Sequence, residues 1–120
     1  AQLGPADIDY INAHGTGTPQ NDAAEARAIR TILGENSDCP VSSTKGVCGH
    51  LLGAAGSVEV ILSVRAMHEG FLPPQVGLLD PDPECRLSFV REPAPAKVET
   101  IISNSYGFGG NNVSLALCRA

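Results

Sequence analysis

The segment from His50 to Glu69, HLLGAAGSVEVILSVRAMHE, is the most informative part of the sequence for the fold. Its apolar residues fall on every face of a helical wheel, whereas a helix at a protein surface keeps one face polar. The segment therefore predicts a helix that is buried on most of its sides. Because strand-forming segments flank it, the pattern favours an α/β fold with helices sandwiched between sheets, rather than a two-layer domain.

Short β-favouring segments lie on both sides of this helix. Residues 7–13 and 41–44 are rich in β-branched, aromatic and hydroxyl side chains and are predicted to be strands. Residues 87–90 predict a further short strand. The intervening residues 71–84 carry two proline-rich clusters and predict an extended surface connection.

A second helix is predicted over residues 22–33. Asp22 stands three residues before Glu25, which is the spacing of an N-cap residue and the carboxylate that folds back onto it. Gly34 follows the last apolar residue and is predicted to end the helix.

The carboxy-terminal end of the chain predicts an antiparallel hairpin. Residues 100–105 and 113–118 alternate between apolar and polar side chains, and the glycine-rich residues 107–112 separate them. Residues 1–120 are thus expected to form one α/β domain with a mixed sheet, a buried helix and this hairpin. The sequence begins at Ala1 without a methionine and leads straight into a predicted strand, so we expect a fragment of a longer chain.

Composition excludes several functions. The net charge is −5 and the eight basic residues are scattered, which argues against a nucleic-acid-binding surface. No apolar run reaches the roughly 18 to 20 residues of a membrane helix, and no basic segment precedes an apolar one at the start, so a cytoplasmic protein without a membrane span is expected. The four cysteines form no CxxC pair, and neither a disulfide framework nor a metal site is predicted.

Three glycine-bearing loops follow predicted strands, at residues 14–18, 45–50 and 107–112. Strand ends are where α/β proteins place their chemistry, so these loops are candidates for one shared pocket. Spacing alone leaves open that they are unrelated turns. The motifs GxxxxGK[ST], GxGxxG and GxSxG are all absent, which argues against phosphate-loop, dinucleotide and serine-hydrolase sites.

The same loops carry the motifs of a known family, in its order and at its intervals. They are NAHGTGTP at residues 12–19, STK at 43–45 with GHLLGAAG at 49–56, and NSYGFGG at 104–110. Over nearly the whole chain the sequence resembles the β-ketoacyl-[acyl-carrier-protein] synthases, condensing enzymes of the thiolase-like superfamily. The resemblance implies the carboxy-terminal half of their layered α/β fold and a part in decarboxylative Claisen condensation. It also implies that the nucleophilic cysteine lies in the other half.

The resemblance assigns the decarboxylation chemistry to four residues. His14 and His50 match the family's two active-site histidines, which would donate N–H groups to the thioester oxygen on which negative charge develops. Lys45 matches its lysine and Glu59 its buried glutamate. A carboxylate in so apolar a helix needs a partner, and Lys45 is the candidate. The alternative for Glu59 is a side chain that reaches solvent.

Binding of the substrate arm is implied for two threonines and a glycine-rich turn. Thr16 and Thr18 match residues that hydrogen-bond phosphopantetheine, although loop hydroxyls often only cap local backbone. Phe108 matches a gate residue whose ring closes the acyl pocket and whose N–H helps to form the oxyanion hole. The glycines beside it, Gly107, Gly109 and Gly110, would let it move. A tight hairpin turn with a buried aromatic ring is the other interpretation.

The resemblance also predicts partners. Acyl carrier protein would bring the substrates on its phosphopantetheine, no cofactor would be tightly bound, and the missing amino-terminal half would complete a homodimeric enzyme. Two other function classes stay open: a non-catalytic scaffold that binds carrier protein, and an acyltransferase that does not decarboxylate. Gly46, Cys48 and Asn111 depart from the family's usual residues, so acyl chain length, starter preference and the choice between fatty-acid and polyketide or polyene synthesis remain undetermined.

Overall fold

The computed structural model describes residues 2–120. Along the chain the strands and helices are β1 Tyr10–Asn12, α1 Pro19–Leu33, β2 Pro40–Ser42, α2 Lys45–Cys48, α3 Ala55–Glu69, β3 Phe71–Leu72, β4 Ser88–Phe89, β5 Ala94–Pro95, β6 Thr100–Tyr106 and β7 Asn112–Cys118. Five of the strands form one sheet in the order β4-β2-β1-β6-β7. The first four are parallel to one another and β7 is antiparallel to β6, so the predicted mixed sheet is confirmed.

The carboxy-terminal hairpin is the longest paired segment. The pairs run from Thr100 with Cys118 to Tyr106 with Asn112, within one residue of the predicted bounds at the turn. The alternating pattern identified it because side chains on successive strand residues point to opposite faces.

The two faces of the sheet are covered by different helices. Tyr10 and Ile101 pack with Met67 of α3 on one face. On the other face, Ile11 and Val41 pack with Ile29 of α1. Within residues 2–120 the layers are therefore helix, sheet, helix. The expected arrangement, with helices between sheets, stays a prediction, because the described residues contain one five-stranded sheet and only the short pair of β3 and β5 besides it.

The α3 helix is buried on one side only in the described chain. Its buried positions are largely small or polar: Ala55, Glu59, Ser63, Ala66 and Met67. Ile61 and Val64 on its other side are 61% and 37% exposed. The prediction of burial on most sides therefore fails within residues 2–120, because the sheet covers a single face of the helix.

The α1 helix begins earlier than predicted and is capped differently. Thr18 is the N-cap and Pro19 is the first helical residue, a position that suits proline because its missing N–H has no intrahelical partner there. The Asp22 carboxylate accepts instead from the Gly17 N–H at 3.2 Å. Glu25 reaches back beyond the helix altogether, to the loop after β1. The predicted capping box is wrong.

Smaller differences between the predicted and the observed secondary structure concern short helices and strands. Residues 45–48 form one helical turn rather than a loop. The proline-rich connection contains β3, which pairs with the two residues of β5 in a separate small sheet. Elements of two to four residues carry too little periodicity to be recognised in a sequence. No helix in residues 2–120 is long and apolar enough to cross a membrane.

Candidate active site

Two neighbouring parallel strands bring the first two motif loops together. Asn12 of β1 pairs with Ser42 of β2, so the loops that follow both strands leave the same edge of the sheet. His14 and Lys45 stand on these two loops, and the Lys45 Nζ lies 3.4 Å from the His14 Nδ1. Spacing alone left it open whether these turns were related; the sheet order places the first two side by side.

Lys45 forms a buried ion pair with Glu59. The side chains of Lys45 and Glu59 are 7% and 3% exposed, and the Nζ contacts Oε1 of the glutamate. Glu59 therefore does not reach solvent. Its position on the inner face of α3 is what brings the carboxylate under the His14 loop, since α3 crosses the sheet on the side of Tyr10.

His14 is buried and held in its neutral form. Burial is the main cause that lowers the pKa of His14 below the ordinary 6.5, and the charge of Lys45 lowers it further. The Lys45 ammonium can only donate a hydrogen bond, so the neighbouring Nδ1 acts as the acceptor. The proton of the neutral imidazole therefore resides on Nε2, which leaves His14 with one free N–H donor.

The neutral His50 ring has the same tautomer as His14, but a different donor contacts its Nδ1. The backbone N–H of Leu52 donates to the His50 Nδ1 at 3.2 Å, so the neutral ring carries its proton on Nε2. The rings of His14 and His50 meet edge to face, with centroids 5.5 Å apart and planes at 85°. Two adjacent imidazoles, each with an Nε2–H donor, can stabilise negative charge on an oxygen between them.

The third motif loop reaches the cluster through Tyr106. This residue ends β6, and its ring centroid lies 5.5 Å from that of His14. Burial raises the pKa of Tyr106 to about 12, so the phenol stays protonated at neutral pH. In the sequence, Tyr106 is distinguished only as part of the third motif. Nothing in its local pattern distinguishes it from a strand residue, and its place beside His14 depends on the pairing of β6 with β1.

Thr16 and Thr18 lie at the mouth of a cleft. Their Oγ1 atoms are 3.0 Å apart, and the Thr18 Oγ1 also accepts from the Asn21 N–H at 3.4 Å. The local capping interpretation thus holds for Thr18, whatever else it binds. Both threonines line a cleft of about 610 Å³ with Lys45 and His50, and several residues between Gln75 and Phe89 line it too.

The turn at Phe108 stands apart from the histidines. Phe108 is 101% exposed, so its ring packs against no described residue. The Asn111 Nδ2 donates to the Phe108 carbonyl at 3.2 Å, and Gly107 N–H donates to the Asn111 carbonyl at 3.1 Å. Gly109 and Gly110 have φ of +75° and +80°, the left-handed region that other residues adopt with strain.

The sequence of this chain matches the family model described as "Beta-ketoacyl synthase, C-terminal domain" over residues 1–79. The chain belongs to the β-ketoacyl synthase family. This match confirms the predicted family and includes the first two of the three motifs. Solved ketosynthase structures that superpose on the chain confirm the thiolase-like fold class.

Individual relatives agree with this assignment. The synthase chain is 48% identical to the 3-oxoacyl-[acyl-carrier-protein] synthase 2 of Coxiella burnetii over 99% of its length, and covers 29% of that protein. A crystal structure of a β-ketoacyl synthase from Burkholderia phymatum superposes with a TM-score of 0.94 at 38% identity, again over 100% of this chain and 29% of the other. A type II polyketide ketosynthase in complex with its acyl-carrier protein gives a TM-score of 0.91 at 33% identity, over 99% and 29%. The chain thus spans less than a third of the relatives it matches.

The sequence pattern does not indicate one buried polar residue that contacts the His14 loop. Glu25 was interpreted as half of a capping box, yet its carboxylate accepts hydrogen bonds from the backbone of His14 and Gly15. Its only sequence signal is an acidic residue on the sheet-facing side of a helix, three residues before the apolar Ala28 and four before the buried Ile29. The contacts themselves join residues ten and eleven positions apart and depend on how α1 packs.

The remaining candidates are the cysteines, as reactive thiols, and any group of histidine, cysteine and acidic side chains that could bind a metal ion. Cys48 is an exposed free thiol at the end of α2, and Cys39, Cys85 and Cys118 are also free. Within residues 2–120 no group of three or more histidine, cysteine or acidic side chains is arranged to hold a metal ion.

Proposed function

We propose that this chain supplies the decarboxylation half of the active site of a condensing enzyme. The full-length protein would join an acyl thioester to the two-carbon unit from malonyl-acyl carrier protein, in fatty-acid or related polyketide or polyene synthesis. The observation that carries the proposal is the adjacent pair of imidazoles, His14 and His50, in which each Nδ1 faces an N–H donor and each Nε2 is left to donate to a substrate.

The chemistry that these donors suit is the cleavage of malonyl thioester. The bond between the carboxylate carbon and the α-carbon breaks, carbon dioxide leaves, and the electron pair moves through the α-carbon onto the thioester oxygen. Two N–H donors fixed near that oxygen stabilise the developing charge, which is worth most in a site that excludes water. The α-carbon of the resulting enolate then attacks the acyl carbonyl carbon held on the cysteine of the missing half. A carbon–carbon bond forms, the carbon–sulfur bond breaks, and the cysteine leaves as a thiolate.

Lys45 and Glu59 act on the histidines rather than on the substrate in this scheme. The ammonium of Lys45 holds the His14 Nδ1 as an acceptor, and Glu59 neutralises the buried ammonium. Without the glutamate, a buried lysine would lose its charge or move to solvent. Thr16 and Thr18 would hydrogen-bond the phosphopantetheine arm from the mouth of the cleft, and Phe108 with Gly107, Gly109 and Gly110 would form the gate.

The proposal also includes the binding partners and the cellular location of the full-length protein. Acyl carrier protein would present both substrates, no tightly bound cofactor would be needed, and the enzyme would work as a cytoplasmic homodimer once the amino-terminal half is present. The complex of a related ketosynthase with its acyl-carrier protein supports the first of these. Cys48 is not the nucleophile, because it belongs to the same short loop as His50 and cannot face both imidazoles across the acyl carbon.

The full-length protein provides the test. It is incubated with acyl-carrier protein and malonyl-carrier protein, and carbon dioxide, the ketoacyl product and the intact mass of the protein are measured. Release of carbon dioxide with ketoacyl product, and acylation that persists in Cys48→Ala, are expected. Carrier binding without either product would identify a scaffold, and acyl transfer without decarboxylation would identify the acyltransferase class. Either result would refute the proposal.

A further inference from the structure

Gly46 lies in α2, in close contact with a distant part of the backbone. A Cβ built on Gly46 would lie 2.2 Å from the Val76 carbonyl oxygen and 3.1 Å from its carbonyl carbon. Gly46 belongs to a helical turn, and its own φ is not positive. The backbone conformation of Gly46 would therefore allow any residue, and it is the approach of Val76 that requires a glycine.

The segment that lies against Gly46 is residues 75–79, here called the strap. At its start, the Ser43 N–H donates to the Gln75 Oε1 at 2.7 Å. At its end, the Arg91 Nη1 donates to the Leu78 carbonyl at 2.8 Å. The strap is therefore held on both sides of the carbonyl group that contacts α2.

The close contact involves backbone atoms of the strap, so no side-chain rotation can relieve it. Contacts between a carbon and a carbonyl oxygen are unstrained at about 3.3 Å or more. A side chain at position 46 would therefore have to push the strap and α2 apart by about 1 Å. A shift of that size would break the hydrogen bond between Ser43 and Gln75, because it would leave the two atoms beyond hydrogen-bond range.

Gly46 and the strap both line the cleft that contains the two threonines. The lining includes Gly46, Val76 and Leu78, together with Thr16 and Thr18. Separating the strap from α2 would move two parts of this lining apart and enlarge the cleft. A gap of about 1 Å removes up to about half of the dispersion energy of a contact, so a ligand held in the cleft would bind more weakly.

The lining of the cleft suits an uncharged, flexible chain that carries polar groups. The strap contributes apolar side chains and the threonines contribute hydroxyl groups. Asp22, Asp80 and Asp82 also line the cleft and would repel a phosphate group. The part of a phosphopantetheine arm that fits is therefore its aliphatic chain with two amides and a hydroxyl group, with the phosphate outside.

We infer that Gly46 is a specificity-determining residue: because it has no side chain, the strap lies directly on α2, and the cleft stays narrow enough to hold an unbranched phosphopantetheine arm. The inference deepens the proposed function and rests on it for the identity of the arm. It concerns binding of the arm, and it assigns Gly46 no part in the decarboxylation step.

The test measures how the full-length protein with Gly46→Ala binds acyl carrier protein with and without its phosphopantetheine arm. The Kd for carrier with the arm should rise about 10-fold, because contacts along the arm weaken. The Kd for carrier without the arm should change less than about twofold, since nothing enters the cleft. The control is Gly53→Ala, where an added Cβ meets no atom within 4 Å, and it should match the parent.

A structural readout shows whether the strap has moved. Amide hydrogen exchange at Ser43, followed by mass spectrometry of peptides, should be several-fold faster in Gly46→Ala, because the Ser43 N–H loses Gln75 as its acceptor. Gln75→Met removes the same acceptor without adding a side chain at position 46. It should also speed exchange at Ser43 and raise the Kd for carrier with the arm by about threefold. If Gly46→Ala does not fold, Gln75→Met decides the inference.

The binding measurement separates this inference from the proposed function. A parent protein that prefers carrier with the arm but releases no carbon dioxide would refute the proposed function and leave the inference intact. A parent that binds both forms of the carrier equally would overturn the inference.

Three results with Gly46→Ala would also overturn it. One is parental exchange at Ser43, which would show that the strap has not moved. Another is faster exchange with a parental Kd for carrier with the arm, which would show that the strap does not contact the arm. The third is a lower kcat of decarboxylation with both Kd values unchanged, which would make Gly46 a support for the neighbouring Lys45 instead.

Discussion

The His14 cluster and the Phe108 turn carry motifs of the same family, but they differ in how the chain supports them. His14, Lys45 and Glu59 are buried, and each contacts at least one of the others. Phe108 is fully exposed, and its turn is shaped by one side-chain and one backbone hydrogen bond of Asn111. The first region is preorganised by packing between two strands and a helix. The second has a defined turn but no packed environment within residues 2–120.

This difference indicates which part of the candidate site is already fixed by the described residues. Electrostatic stabilisation needs donors that are in place before the reaction, and a buried ion pair beside an imidazole provides that. A gate needs freedom to move, which glycines with positive φ and an unpacked ring allow. The following predictions test whether the contrast has consequences for catalysis and stability.

The largest effect is expected from the histidines. In the full-length protein, His14→Ala or His50→Ala should lower decarboxylation of malonyl-carrier protein about 1,000-fold, since each removes one donor to the developing charge. Acyl transfer to the cysteine should largely survive. Carbon dioxide release and intact mass measure the two steps. Decarboxylation at the parental rate in both variants would show that the donor roles are wrong.

The second largest effect is expected on stability, when the buried ion pair between Lys45 and Glu59 is broken. Lys45→Met leaves Glu59 as an unpaired buried charge and should lower the free energy of unfolding by about 3 kcal/mol. The double variant Lys45→Met with Glu59→Leu should recover most of that stability while decarboxylation stays low, because His14 still lacks its partner. Denaturant unfolding and carbon dioxide release measure these. The control is Arg65→Met, which breaks an exposed i,i+4 pair and should change stability by at most about 0.5 kcal/mol. Recovery of activity in the double variant would assign Lys45 a purely structural role.

The pH dependence of decarboxylation should reflect the lowered pKa of His14. Its neutral form is the active one, and a pKa below 6.5 keeps more than half of it neutral at pH 6.5, so activity should persist there and decline only at lower pH. In Lys45→Met the loss of a nearby positive charge raises the His14 pKa, and the acidic limb should move to higher pH. A pH profile of the decarboxylation rate measures this. An acidic limb that moves to lower pH would contradict the assignment.

The turn should give the smallest effects. Gly109→Ala places a Cβ at φ +75° and should cost about 1 kcal/mol of stability. Phe108→Ala removes a ring without contacts and should change stability by less than about 0.5 kcal/mol. Gly53→Ala, where an added Cβ meets no atom within 4 Å, is the control for a glycine without positive φ. Unfolding of the full-length protein measures all three. A large loss in Phe108→Ala would show that the ring packs against residues beyond those described.

The predictions from sequence succeeded where a local pattern repeats over several residues. The β6–β7 hairpin and the α3 helix were identified because alternation over seven residues and continuous helix-forming sequence over fifteen are distinctive. The start of α1 was misplaced because Asp22 and Glu25 have a capping spacing that tertiary contacts override. The burial of α3 on most of its sides was not found within residues 2–120, because apolar residues indicate burial but not what covers them.

The candidate site was likewise predicted in part from the sequence, while its other features depend on the tertiary structure. The sequence by itself identified the family motifs, and with them the candidates His14, Lys45, His50 and Glu59, since motif order is a property of the chain alone. Only the tertiary structure brought Glu59 under Lys45, placed Tyr106 beside His14, and gave each histidine the partner that determines its tautomer. It also turned Glu25 from a presumed cap into the carboxylate that holds the His14 backbone. The physical reason is that most of these hydrogen bonds and contacts depend on distances between strands and helices, which the separation of two residues along the chain does not specify.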